Sequence, residues 1–148
     1  MLPRTVTCWR ACVDDRTVTV EDSSGNLTGN SIYGAIEPAV TAASSDQTVS
    51  VGPGTYEESV TIDTEGLTLE GPNVGTPGDS DARGSEAIIA EGADVRASDV
   101  TIDGVEIQNP GEQGTADPTD YAGVIGVNIQ TGETGVTVTN SVITEVGT

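Results

Sequence analysis

Three stretches decide how this chain is read: Gly66-Leu67-Thr68-Leu69-Glu70-Gly71, Asp99-Val100-Thr101-Ile102-Asp103-Gly104 and Gly135-Val136-Thr137-Val138-Thr139-Asn140. Each is a turn residue, then aliphatic-Thr-aliphatic, then an acid or Thr, then Gly or Asn. The copies are offset by 33 and 36 residues. Each follows another short strand pattern, at 59–62, 87–90 and 126–129. A period in this range marks a stacked repeat. Strand-length alternation and β-branched residues exclude the helical kinds. Strands too short to stand alone become viable when each stacks about 4.8 Å from the next and inward Val, Ile and Leu form rows. Gly66, Gly104 and Asn140 suit corners where φ is positive. The pattern predicts an all-β chain of β-solenoid type. An up-and-down barrel or a sandwich would prefer two-residue hairpin turns, which are scarce here.

Outward from the repeat, strand patterns fall at 48–51, 59–62, 67–69, 87–90, 100–102, 105–107, 124–129, 136–138 and 142–143. Gly, Asp, Asn and Pro separate them. Upstream, 5–9 and 17–20 also alternate like strands, and Ser23-Ser24-Gly25-Asn26 is a turn cluster. Ile32 to Ala43 reads as the one helix, with Ile32, Ala35, Ile36, Ala39, Val40 and Ala43 on one face. Asn30 or Ser31 is placed to cap it. Pro38 would kink or shorten it. Residues 71–85 and 109–123 are polar and rich in Gly, Pro, Asp and Thr, and read as excursions on the outside of a scaffold. Residues 1–17 form an N-terminal extension and 18–148 the repeat domain.

Composition narrows the function classes. The 148 residues hold 24 acids, five arginines, no lysine and no histidine, for a net charge of -19. Phosphate backbones and anionic membrane surfaces are repelled, so nucleic acid is excluded as a partner. Histidine-based triads and the usual zinc sites cannot be built. No apolar stretch is long enough for membrane insertion. The acids are scattered among regular aliphatic positions, which argues for a folded chain over an acidic disordered one. Acid-rich, lysine-free composition resembles that of extreme halophiles, an archaeon or its virus. In molar salt the Debye length falls to about 3 Å, and surface carboxylates then hydrate the fold with little mutual repulsion. Residues 1–13 lack the apolar core of a signal peptide. The expected location is extracellular or on a cell or virion surface, with a leader replaced or removed unless the chain is not exported alone.

Val18-Thr19-Val20 with its Asp/Ser/Gly turn, the helix after Ser31, the run Thr48 to Glu58 with Gly52-Pro53-Gly54-Thr55-Tyr56-Glu57-Glu58, and Leu67-Thr68-Leu69-Glu70-Gly71 occur in a telling order. In that order they resemble the opening of right-handed parallel β-helix proteins of the pectin-lyase-like superfamily. The resemblance implies a right-handed parallel β-helix, with a short N-terminal capping helix over the first coils. Its signature, Gly52, Pro53, Gly54, Tyr56 and Glu58, is architectural. Gly52 to Gly54 would make the turn, and Tyr56 would cover the end of the first coils with its hydroxyl near water.

The superfamily's chemistry is only partly matched. Esterase members use Gln-Asp and Arg-Pro-Trp motifs that are absent here. A lyase-like site needs carboxylates for calcium and an arginine base, for which Arg96 and Asp99 are the candidates and Arg83 lies nearby. Asp79 and Asp81, at alternate positions before Gly84, are candidate calcium ligands, although Arg83 sits where a third oxygen belongs. Asp117 and Asp120 form a second such pair. No cofactor is required, and calcium is possible. Cys8 and Cys12 either close a small disulfide loop or stay reduced. Asn26-Leu27-Thr28 is a glycosylation sequon in an exposed turn, whereas Asn30-Ser31 and Asn140-Ser141 do not complete the pattern.

The expected function is a non-catalytic, salt-adapted surface or secreted scaffold, binding a polysaccharide. The alternatives are a carbohydrate-active enzyme or its remnant, and a viral tail or spike component. A chain still in strand pattern at 142–148 also predicts either a fragment of a longer protein or self-association through the C-terminal coil.

Self-repulsion at a net charge of -19 predicts salt-dependent folding. Circular-dichroism melts should show the melting temperature climbing steadily from dilute buffer to multimolar KCl. A midpoint indifferent to salt would remove the case for salt adaptation.

Overall fold

The computed structural model describes residues 16–28, 32–109 and 126–146. Along the chain lie β1 (Val18–Glu21), α1 (Ile36–Ala42), β2 (Thr48–Val51), β3 (Gly54–Tyr56), β4 (Val60–Ile62), β5 (Thr68–Glu70), β6 (Ala87–Ile89), β7 (Ala93–Val95), β8 (Thr101–Asp103), β9 (Glu106–Asn109), β10 (Val127–Ile129), β11 (Thr137–Thr139) and β12 (Val142–Val146). Strands of three to five residues cannot hold themselves together, so lateral pairing does that work.

Pairing sorts the strands into three separate sheets: β1-β2-β5-β8-β11, β4-β7-β10 and β3-β6-β9-β12. All neighbours are parallel except β1 and β2, which are antiparallel. The expected fold class is corrected by this arrangement. In place of an all-β right-handed parallel β-helix, the described residues form three separate, mostly parallel sheets plus one short helix. Backbone hydrogen bonds of the ladders stay within each sheet, the sheets differ in strand number, and the first pair breaks the parallel rule. A repeat in sequence specifies which strands are neighbours. It does not specify how many sheets those neighbours form.

The core is built from in-register aliphatic rows. Val49, Leu69, Ile102 and Val138 are successive partners in the five-stranded sheet. Tyr56, Ile89, Ile107 and Ile143 line up in the four-stranded sheet, and Ile62, Val95 and Ile129 in the three-stranded one. Val49, Leu69, Ile102, Ile89, Ile107, Ile62 and Val95 are fully buried. Burying each such side chain contributes about 1.5–3 kcal/mol. The last member of each row is not buried: Val138, Ile129 and Ile143 are 37%, 46% and 48% exposed.

The opposite end is covered. Ile36, Ala39 and Val40 of α1 are fully buried, and the helix packs against β1, β2 and β4. The helix is shorter than the expected span from Ile32 to Ala43, and Ile32 is 72% exposed. Pro38 lies in the first turn, where its missing N–H would have had no helical partner anyway. Neither Asn30 nor Ser31 lies among the described residues. The capping residue is Ala35, which has no side-chain bond to offer. Glu58 supplies the cap instead: its two carboxylate oxygens accept from the N–H of Ile36 (2.7 Å) and of Glu37 (3.0 Å). Glu37 in turn accepts from the N–H of Thr61 at 2.8 Å, satisfying a donor on the outer edge of β4. One signature residue thus stitches the helix to the sheet end, where the positive end of the helix favours a carboxylate.

Register depends on a column of corners. The residue two positions before each of β2, β5, β8 and β11 is in the left-handed region: Asp46 (φ 62), Gly66 (φ 74), Asp99 (φ 58) and Gly135 (φ 71). Aspartate and glycine alternate for a steric reason. A Cβ on Gly66 would run into the Asp46 carboxylate, and one on Gly135 into that of Asp99. Gly104 and Asn140, at the following corners, also have positive φ, at 74° and 47°.

Gly135→Ala should therefore cost more than the ~1 kcal/mol of a left-handed alanine, because the methyl group also meets Asp99. Asp99→Gly in the same chain should return part of that loss. Urea melts of the two single variants and the double variant give the coupling. Strict additivity would refute the steric link.

Candidate functional site

The outward face of the three-stranded sheet carries a polar network. Thr61, Asp94 and Asn128 are register partners on β4, β7 and β10. Their neighbours Ile62, Val95 and Ile129 occupy the inward row, so period-two alternation turns these polar residues outward. Asp94 is the hub. Its Oδ1 accepts from Asn128 Nδ2 and Gln130 Nε2, each at 2.9 Å, and its Oδ2 accepts from Arg96 Nε at 2.6 Å. Burial alone would push the Asp94 carboxyl up. The bonds from Gln130 and Arg96, the Arg96 charge and the Asn128 amide outweigh it and hold the group below its ordinary value. The Arg96 side chain remains 56% exposed. This is a flat hydrogen-bonding surface of carboxylate, amide, hydroxyl and guanidinium groups, fixed in place before any ligand arrives.

A second polar surface is the outward face of the five-stranded sheet. Thr48, Thr68, Thr101 and Thr137 form an in-register threonine row, with Ser50, Glu70, Asp103 and Thr139 beside it. Asp103 Oδ1 accepts from Asn140 Nδ2 at 2.9 Å and from the Gly75 N–H at 3.3 Å. Glu70 has no such relief. Burial, then the charge of Asp103, then that of Glu21, raises its pKa.

The segment expected as an outside excursion at 71–85 is anchored. Asn73 is 3% exposed, its Oδ1 accepting from the Gly84 N–H (2.8 Å) and its Nδ2 donating to the Ser85 carbonyl (3.3 Å). The Arg83 side chain is only 8% exposed. It binds both oxygens of Glu86 (2.6 and 2.8 Å) and donates to the carbonyls of Thr76 (2.8 Å) and Asn140 (2.6 Å). A planar guanidinium can serve all of these at once, whereas a lysine could not match the geometry. The arginine fastens the loop to the corner before β12.

Against this geometry, the residues singled out from sequence separate. Arg96 pairs with Asp94, while Asp99 stands at a corner against Gly135, so the two candidates for lyase-like chemistry have different structural employment. Asp79 and Asp81 lie on the loop ahead of Arg83. Among the described residues, no three carboxylates or thiols are grouped so as to share a metal ion. Tyr56 is 2% exposed, and its hydroxyl donates to the Gly52 carbonyl at 2.8 Å, so it closes the Gly52-Pro53-Gly54 turn from within and does not face water. Gly54 opens β3, which sequence reading had as pure turn. Cys8, Cys12, Asp117, Asp120 and the excursion residues 110–123 lie outside the described residues.

Sequence reading counts Asp94 only as one of the acids near the arginines of the repeat region, and it misses Asn128 and Gln130. The available signal was that Asp94 and Asn128 occupy equivalent alternating positions in copies 34 residues apart. No family model matches the chain, and no curated protein or solved structure matches it either. The likeness to the pectin-lyase-like superfamily therefore rests on the residues quoted for it. No helix among the described residues is long and apolar enough to cross a membrane.

The raised pKa of Glu70 has a definite sign. The folded chain holds this proton more tightly than the unfolded chain, so the contribution is favourable at low pH. It is lost as pH rises from the ordinary glutamate value through the raised one. Glu70→Gln should raise the melting temperature at pH 7 and leave it unchanged near pH 3, where both residues are neutral. Equal melting temperatures at pH 7, or a stabilisation that persists undiminished at pH 3, would contradict this assignment.

Proposed function

We propose that this protein is a non-catalytic, salt-adapted scaffold of a cell or virion surface or of the secreted fraction, and that it offers its polar sheet faces to a polysaccharide. The observation that carries the reading is the employment of the arginines. Arg83 and Arg96 are the two cations of the repeat region, and each is engaged with a carboxylate that shapes the surface. The Asp94 network presents the mixed donors and acceptors that hydroxyl-rich ligands require. A net charge of -19 favours a neutral glycan over an acidic one.

Self-association belongs to the same reading. Ile129, Val138 and Ile143 end three core rows, and they sit on the last strands of all three sheets. At the other end α1 packs against β1, β2 and β4, which disfavours head-to-tail stacking. Two copies meeting through the same end form a closed pair.

The test is retention on insoluble neutral polysaccharides in molar salt, with polygalacturonate and methylated pectin assayed for turnover alongside. Wild-type chain should be retained and Asp94→Ala released at least several-fold more readily, with no product formed. Product that disappears with Arg96→Ala would establish the enzyme alternative, and retention indifferent to Asp94 would remove this surface from the account. Light scattering of the same samples should report a dimer that Ile143→Lys dissociates, and a strict monomer would refute end-to-end pairing.

A further inference from the structure

We propose that Asn26 is the acceptor of an N-linked glycan. Asn26-Leu27-Thr28 is the chain's single Asn-x-Ser/Thr tripeptide, and its middle residue is not proline. The structure places it on a tight turn that follows β1. The Asp22 N–H donates to the Asn26 carbonyl and the Gly25 N–H to the Asp22 carbonyl, both at 2.9 Å. Asp22 Oδ1 accepts from the N–H groups of Ser24 (2.8 Å) and Asn26 (3.0 Å). The turn is therefore held by its backbone and by Asp22, not by the Asn26 side chain.

That side chain is exposed and loosely used. Its amide reaches the two Asp22 oxygens only at 3.3 and 3.4 Å. A Cβ built on the neighbouring Gly25 meets nothing within 4 Å, so the tip has room for a bulky substituent. Leu27 beside it is 63% exposed, an apolar surface that a sugar would shield. Thr28 differs. Its hydroxyl donates to the Val20 carbonyl at 3.3 Å and accepts from Gln47 Nε2 at 3.4 Å. The transferase must read that hydroxyl, so transfer precedes the closing of this turn onto β1.

The chemistry balances with a lipid-pyrophosphate-linked oligosaccharide as donor. A bond forms between Asn26 Nδ2 and the anomeric carbon of the first sugar, the bond from that carbon to the pyrophosphate oxygen breaks, and lipid pyrophosphate leaves. One amide proton passes to a base of the transferase. The backbone bonds that hold the turn do not involve Nδ2, so the turn survives modification. The inference rests on the surface or secreted reading only for the chain's exposure to a transferase.

The experiment supplies that exposure directly. The full chain is expressed behind a cleavable leader in a eukaryotic secretory host, and cell lysate and medium are both analysed. A single upward step in gel mobility is expected, removed by a glycan-cleaving amidase that leaves an aspartyl residue at position 26 in the released peptide. Asn26→Gln should lack the step, and Thr28→Ser should keep it. Unmodified wild-type chain in both fractions, or a step that persists in Asn26→Gln, would overturn the proposal. Because the host imposes export, failure here would speak against Asn26 and leave the polysaccharide reading standing.

Discussion

Left-handed corners two residues ahead of the strands are the constraint on which the remaining structure depends. A strand's side chains alternate faces, so a one-residue slip would turn every aliphatic row outward and every polar row inward. Asp46, Gly66, Asp99 and Gly135 prevent the slip by turning the chain at the same point before each parallel strand of the five-stranded sheet. Aspartate tolerates the left-handed region better than most side chains, and glycine tolerates it freely. Stacking imposes the further rule that an aspartate be followed in the column by a residue with no Cβ. With these corners held, Leu69 meets Ile102 and Ile102 meets Val138, and the other two sheets follow from the same advance of the chain.

Among the described residues, the two ends of the sheets differ. At the covered end, several edge groups of the backbone have specific partners. Glu58 caps the helix, Glu37 takes an edge N–H of β4, and the bridges of Val18 to Tyr33 and of Glu21 to Leu27 close the free side of β1. At the other end, β10, β11 and β12 end their sheets, with apolar side chains partly exposed. Edges of this kind invite pairing unless a protein guards them.

Legibility in the sequence followed how strongly each residue announces its environment. The Leu-Thr-Leu repeats were readable because aliphatic alternation reports burial, and most strand positions came within a residue or two. The antiparallel start and the division into three sheets were not readable, because neighbour relations say nothing of how strands group. β7 escaped notice, since Ala93-Asp94-Val95 offers a small residue and a charge where an aliphatic pair was sought. β3 escaped because glycine and proline masked it. The helix was read four residues too long at its start, because its cap comes from Glu58, 22 residues from Ile36 in sequence. A cap supplied from so far away leaves no local signature.

The candidate site was hidden for a related reason. Asp94 looked like one acid among 24, and only pairing across strands gives it Asn128 and Gln130 as partners. In an ordinary chain a carboxylate hub finds lysines near it. This chain has none, so the polar surface of the repeat region is organised, among the described residues, by amides, hydroxyls and the side chains of Arg83 and Arg96, whose hydrogen bonds depend on geometry more than on long-range charge. Salt screens Coulomb attraction between exposed groups far more than it weakens a short, directed hydrogen bond held on a rigid sheet. A surface built this way keeps its shape when screening is strong. The same argument explains why the pairs made by Arg83 and Arg96 are short and local, and why Arg83, the more buried of them, is used where a loop must be fastened to the corner beside β12.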